Sequence, residues 1–141
     1  MKKIAVIYWS GTGNTEAMAQ AVCEGAKEAG AAAELFSCAE FNISDFESFD
    51  SVAFGCPAMG DEVLEESEFE PMFSSLESKL KDKKIALFGS YGWGDGAWMR
   101  NWEETCKADG ALLAAGSVIC NDAPDEAVIA ECNALGKTLA A

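Results

Sequence analysis

Short apolar runs without polar alternation recur along this chain, and between them lie longer stretches whose apolar residues fall at helical spacing. A strand that is apolar at nearly every position must be buried on both faces. A parallel sheet with helices packed on each side provides that burial. Lys3–Trp9, Ala33–Phe36, Ser51–Gly55, Lys84–Gly89 and Leu112–Cys120 read as the strands. A first helix runs from about Asn14 to Ala29, with Met18, Val22, Gly25 or Ala26, and Ala29 at helical spacing and Gly30 as its stop. Ser67–Leu80 reads as the next, where Pro71 suits only a first turn. Ala97–Ala108 and a segment from Pro124 to Leu139 follow. Between Cys38 and Asp50 the apolar residues Phe41, Ile43, Phe46 and Phe49 fit either a short helix or a loop packed on the core. The alternation predicts a doubly wound α/β sandwich, and no linker or repeat divides residues 1–141, which are read as one domain.

In such a sheet, ligands sit outside the carboxyl ends of the strands, where strand order reverses. The segments to inspect are therefore Ser10–Thr15, Cys56–Glu62, Ser90–Gly96 and Asn121–Asp125. Composition narrows the ligand. A net charge of −14 with no histidine argues against nucleic acid and anionic membranes, and favours basic protein partners. The six cysteines include no C-x-x-C pair, so they read as reduced, buried residues rather than a disulfide or metal framework. The apolar run after Met1-Lys2-Lys3 is too short for a signal peptide or a membrane span, and a cytoplasmic location is expected.

Ser10-Gly11-Thr12-Gly13-Asn14-Thr15 joins a strand to a helix. Its glycines permit a tight turn that gathers backbone N–H groups, and the helix start adds unpaired N–H groups and partial positive charge. Hydroxyl and amide side chains complete a neutral phosphate cradle. Gly11-x-Gly13 lacks the third small residue of a dinucleotide fingerprint, since Glu16 stands there. Gly136-Lys137-Thr138 imitates the end of a P-loop, but Glu131 occupies the required glycine position and the segment is helical. In the second loop, Met59 brings a thioether that packs on an aromatic ring, and Gly60 permits a peptide reversal. In the third, Gly92, Gly94 and Gly96 surround Trp93, so a flat ligand can approach the backbone while the indole covers it. A site for an aromatic mononucleotide results, without evident acid–base chemistry.

Four blocks carry a likeness that covers the chain: residues 8–15, 55–62, the acidic stretch through Pro71, and residues 87–96. With them the sequence resembles the flavodoxin family, specifically its short-chain, clostridial-type members. The resemblance implies a five-stranded parallel sheet of order 2-1-3-4-5 and one non-covalently bound FMN. It implies the phosphate on Ser10, Gly11, Thr12, Gly13, Asn14 and Thr15, and the isoalloxazine between Met59 and Trp93. Asp61 and Glu62 would meet the N5 and N3 side, and Gly92 and Gly94 the pyrimidine edge. Ala58, Gly60, Ser90, Tyr91 and Asp95 complete the implied cofactor-binding set. Pro57 departs from relatives that carry a hydroxyl-bearing residue there.

The implied activity is that of a low-potential one-electron carrier between redox partner proteins, not an enzyme, using the neutral semiquinone/hydroquinone couple. A Gly60 carbonyl turned toward protonated N5 would serve the first state. The acidic run Asp61, Glu62, Glu65, Glu66, Glu68 and Glu70 would disfavour the second and steer basic partners toward a monomeric carrier. A flavin-dependent reductase of the same fold is the alternative. A phosphate-accepting receiver module is disfavoured, because the third strand ends in Gly55-Cys56 and the fifth in Cys120-Asn121.

Overall fold

The computed structural model describes residues 1–60, 63–92 and 94–141. Its strands are β1 (Lys3–Tyr8), β2 (Ala32–Ser37), β3 (Ser51–Gly55), β4 (Lys84–Tyr91), β5 (Leu112–Leu113) and β6 (Val118–Asn121). The helices are α1 (Asn14–Glu28), α2 (Phe69–Leu76), α3 (Ala97–Ala108) and α4 (Glu126–Ala140). All pairings between these strands are parallel, in the order β2-β1-β3-β4-β5, with β6 also on β4.

The two-residue period of a strand explains why the central runs are apolar throughout. Ile4 and Val6 of β1, Ala53 of β3 and Ala86 and Phe88 of β4 join one core cluster, packed against α1 and α4. Ala5 and Ile7, Val52 and Phe54, and Ile85 and Leu87 join the other, with Phe69, Phe73, Trp98 and Trp102 from α2 and α3. Each face is thus covered by one pair of helices.

Several boundaries differ from the sequence reading. The fifth strand is broken rather than continuous. Leu113 pairs with Ile85 and Val118 with Phe88, so five steps on one side oppose three on the other. The two extra residues bulge out within Ala114-Ala115-Gly116-Ser117, a stretch of small residues with little to hold a ladder. The segment before β3 forms a 3-10 turn at Ile43–Ser48, started by Asn42, whose side chain accepts from Ser44 N at 3.0 Å. The second helix is shorter than Ser67–Leu80, because it begins at Phe69 and tightens into a 3-10 turn at Glu77–Lys79.

That late start has a side-chain cause. The Glu65 carboxylate accepts from Glu68 N at 2.7 Å, Phe69 N at 2.8 Å, Ser67 N at 2.9 Å and the Ser67 hydroxyl. Its carbonyl takes Glu70 N at 2.8 Å. Pro71 comes next and has no N–H to satisfy. The donors that open α2 are therefore accounted for before its ladder begins.

All six cysteines are buried and free, in line with their sequence reading. Burial pushes the Cys38 thiol up to about 11 and those of Cys106 and Cys132 up to about 12, so none is a thiolate at neutral pH.

Candidate functional site

The carboxyl ends of β1, β3 and β4 open onto a cleft of about 220 Å³. From the first loop it is lined by Gly11, Thr12 and Asn14, from the second by Ala58 and Met59, and from the third by Ser90, Tyr91 and Gly92. Three of the four segments singled out in the sequence converge there, and the fourth reaches it through Asp122. Backbone hydrogen bonds fix their spacing, from Trp9 N to Gly55 O at 3.0 Å and from Ala58 N to Ser90 O at 3.0 Å.

The remaining expected residues stand around the cleft in other roles. Ser10 Oγ accepts from Gly13 N at 3.0 Å and closes the first turn on itself. Gly13, at φ 94°, precedes α1 without a side-chain cap, so that helix opens toward the cleft without the protein oxygen that an Asp or Ser cap supplies. By contrast α4 is capped by Asp125, which accepts from Val128 N at 2.9 Å. Thr15 does not line the cleft. It is buried below, with its hydroxyl 3.2 Å from Ser90 Oγ, and accepts from Ser90 N at 3.4 Å. It ties the start of α1 to the end of β4.

Met59 and Val63 exchange backbone hydrogen bonds of 2.9 and 3.0 Å. Gly60 follows Met59 at φ 49°, exposed, with open space among the described residues where a Cβ would stand. A Cβ there would carry the cost of a left-handed backbone. Tyr91 leans on Trp98 with ring centroids 5.5 Å apart, and Trp98 Nε1 donates to Cys56 O at 3.2 Å. Gly94 is also left-handed, at φ 89°. Asp95 turns toward α3, where Arg100 meets its carboxylate at 3.0 Å, and it does not line the cleft. Asp61, Glu62 and Trp93 lie outside the described residues.

The acidic run is not uniform. Glu66, Glu68 and Glu70 are exposed, but Glu65 is only 6% exposed, because it caps α2. It leaves the group of steering charges expected from the sequence. Burial alone would raise its pKa, but the hydrogen bonds from Ser67, Phe69 and Glu68 outweigh it and hold the carboxyl below the usual glutamate value.

Three lining residues had no role assigned from sequence: Trp9, Pro57 and Asp122. Trp9 ends the first strand run and Asp122 falls in the Asn121–Asp125 segment, so position along the fold was the available signal. Asp122 sits at φ 57°, and its Oδ1 would be 3.7 Å from a Cβ at Gly92, close beside the third loop. Among the described residues, no group of three or more carboxylate or cysteine side chains is placed to hold a metal ion.

An uncapped helix start beside hydroxyl and amide groups suits a phosphate, and the adjoining slot with Met59 and Tyr91 suits a flat ring. A family model described as Flavodoxin matches residues 6–134. Flavodoxin of Clostridium beijerinckii is 46% identical over 135 residues, covering 96% of this chain and 97% of that one. Flavodoxin of Megasphaera elsdenii is 47% identical over 137 residues, covering 97% and 98%. The solution structure of two-electron reduced Megasphaera elsdenii flavodoxin matches with a TM-score of 0.89, over 97% of this chain and 98% of that one.

Proposed function

This chain belongs to the flavodoxin family of FMN-binding electron carriers, and on that premise we propose that its FMN lies in the cleft at the ends of β1, β3 and β4. When bound, the flavin supplies low-potential one-electron transfer between redox partner proteins. The chain's own contribution is to bind, orient and charge its surroundings. Within residues 10–15, backbone N–H groups and the Thr12 and Asn14 side chains hold the phosphate, while Ser10 closes the turn and Thr15 anchors it from below. Ala58, Met59 and Gly60 stand on one side of the ring, and Ser90, Tyr91, Gly92 and Gly94 on the other, while Asp95, turned to Arg100, takes no direct part. The observation that carries this reading is the uncapped start of α1 opening into the cleft, beside Thr12 and Asn14.

Because the cradle recognises a phosphate dianion, FMN is expected to bind far more tightly than riboflavin. Thr12→Ala should weaken FMN about tenfold and leave riboflavin within twofold, the loss of one hydrogen bond to a charged group. Thr15→Ala should weaken both flavins, since it removes the tie between α1 and β4. Fluorescence titration of the apoprotein measures each constant. Equal affinity of the parent protein for the two flavins would remove the phosphate from this turn.

We further place the chain in the cytoplasm as a monomeric carrier that meets basic surfaces of its redox partners, rather than as an enzyme with its own substrate. Exposed Glu66 and Glu70 supply the attraction. Replacing both by glutamine should slow electron transfer to a basic redox protein about two- to fivefold at low salt, and flatten its ionic-strength dependence. Stopped-flow rates across a salt series check this. An unchanged slope would mean that these carboxylates do not face the partner.

A further inference from the structure

The indole of Trp9 is a wall shared by two cavities. On one side is the cleft proposed for FMN. On the other is a second cleft of about 230 Å³, lined among others by Tyr8, Glu16, Cys38 and Glu68. The ring lies against the first turn of the phosphate cradle. A Cβ added to Gly11 would come within 3.1 Å of Trp9 Cη2 and 3.3 Å of Cζ3. One polar contact fixes the indole: Trp9 Nε1 donates to Glu68 Oε1 at 3.0 Å. Glu68 is itself held in place, because its backbone N–H is taken by the buried Glu65 carboxylate at 2.7 Å. A chain of contacts therefore runs from the capped start of α2, through Glu68 and Trp9, to Gly11.

We propose that Glu68 is a positioning residue for the phosphate turn: by holding Trp9 Nε1 it keeps the indole against Gly11 and out of the neighbouring cleft. This rests on the FMN reading above. The role is opposite in sign to that of a rim charge. A carboxylate acting only through its charge repels the FMN phosphate, so removing it tightens binding. A carboxylate acting as a clamp supports the turn, so removing its acceptor atoms weakens binding. The packing gives the second effect a physical route. Without Glu68 the indole has open volume to enter on its far side, and the turn at Gly11 loses its backing.

The test compares three single variants and one double variant by flavin titration of the apoprotein, together with hydrogen exchange of the Trp9 indole N–H by NMR. Glu68→Leu removes charge and acceptor, and Glu68→Gln removes the charge but keeps an oxygen to accept. Trp9→Phe keeps an aromatic wall but removes the donor. Glu68→Leu and Trp9→Phe are expected to weaken FMN about five- to tenfold, with riboflavin changed less than twofold. Glu68→Gln should restore FMN affinity to within about twofold of the parent. The Trp9 indole N–H should exchange faster in Glu68→Leu than in Glu68→Gln. Adding Trp9→Phe to Glu68→Leu should cost nothing more, because both break one contact. Tighter FMN binding in both Glu68 variants, or unchanged binding in Glu68→Leu, overturns the clamp. If the parent protein itself does not distinguish FMN from riboflavin, the phosphate assignment has failed instead, and the two failures are separable.

Discussion

Replacing Gly136 by alanine is expected to destabilise the protein by about 3 kcal/mol, although intrinsic helix propensity alone would favour the change by about 1 kcal/mol. Gly136 lies inside α4 and packs on α1. A Cβ there would sit 2.0 Å from Val22 O and 2.8 Å from Ala26 N. The approach is reciprocal, since a Cβ on Gly25 of α1 would sit 1.9 Å from Asn133 O of α4. These neighbours are backbone atoms of helices and cannot turn aside as a side chain would. The two helices must separate, which loosens the packing of Val22, Cys132 and Leu135 in the core face they share. Urea unfolding of the apoprotein, with and without the substitution, measures the difference. A midpoint that stays the same or rises would mean that α1 and α4 are not in backbone contact.

Replacing Glu65 by alanine is expected to cost about 2–3 kcal/mol, more than a surface glutamate would. The change strands the N–H groups of Ser67, Glu68 and Phe69 together with the Ser67 hydroxyl, at the start of a helix whose third residue is already proline. Phe69, fully buried between Phe73 and Trp102, is the side chain most directly displaced. The pH dependence carries the same signature. The folded carboxyl is held below its unfolded value, so its stabilisation is present above about pH 4.3, the ordinary glutamate pKa. It is lost as pH falls through the lower folded value. The acid limb of stability should therefore be shallower in Glu65→Ala than in the parent. Matching acid limbs and a stability change under 0.5 kcal/mol, roughly that of an ordinary surface position, would show that Glu65 does not cap α2.

These two residues mark where the sequence was legible and where it was not. Continuous apolar runs such as Lys84–Gly89 identified a sheet covered on both faces, because burial constrains every position of a central strand. The loops at the strand ends identified the cleft, because parallel topology gathers them at one edge. Glu65 was indistinguishable from Glu66, Glu68 and Glu70 in one acidic run. What separates it is an inward turn that buries one carboxylate over four donors, and no local spacing encodes that. Gly136 was read as lying inside the last helix, as it does, yet its role there depends on which helix faces it. The break in the fifth strand left only a faint trace, Gly116 among small residues, because a bulge depends on the register of the strand opposite. Trp9 and Asp122 were passed over for a related reason. Each is an ordinary residue at a strand end until the fold turns it toward the cleft.

The most direct measurement is an anaerobic reductive titration of the FMN-loaded protein followed by visible absorbance. The account predicts that the flavin stays with the protein through gel filtration and takes up electrons in two resolved one-electron steps, with a blue intermediate form accumulating between them. A flavin that washes off, or that passes directly to the fully reduced form in a single two-electron step, would contradict it.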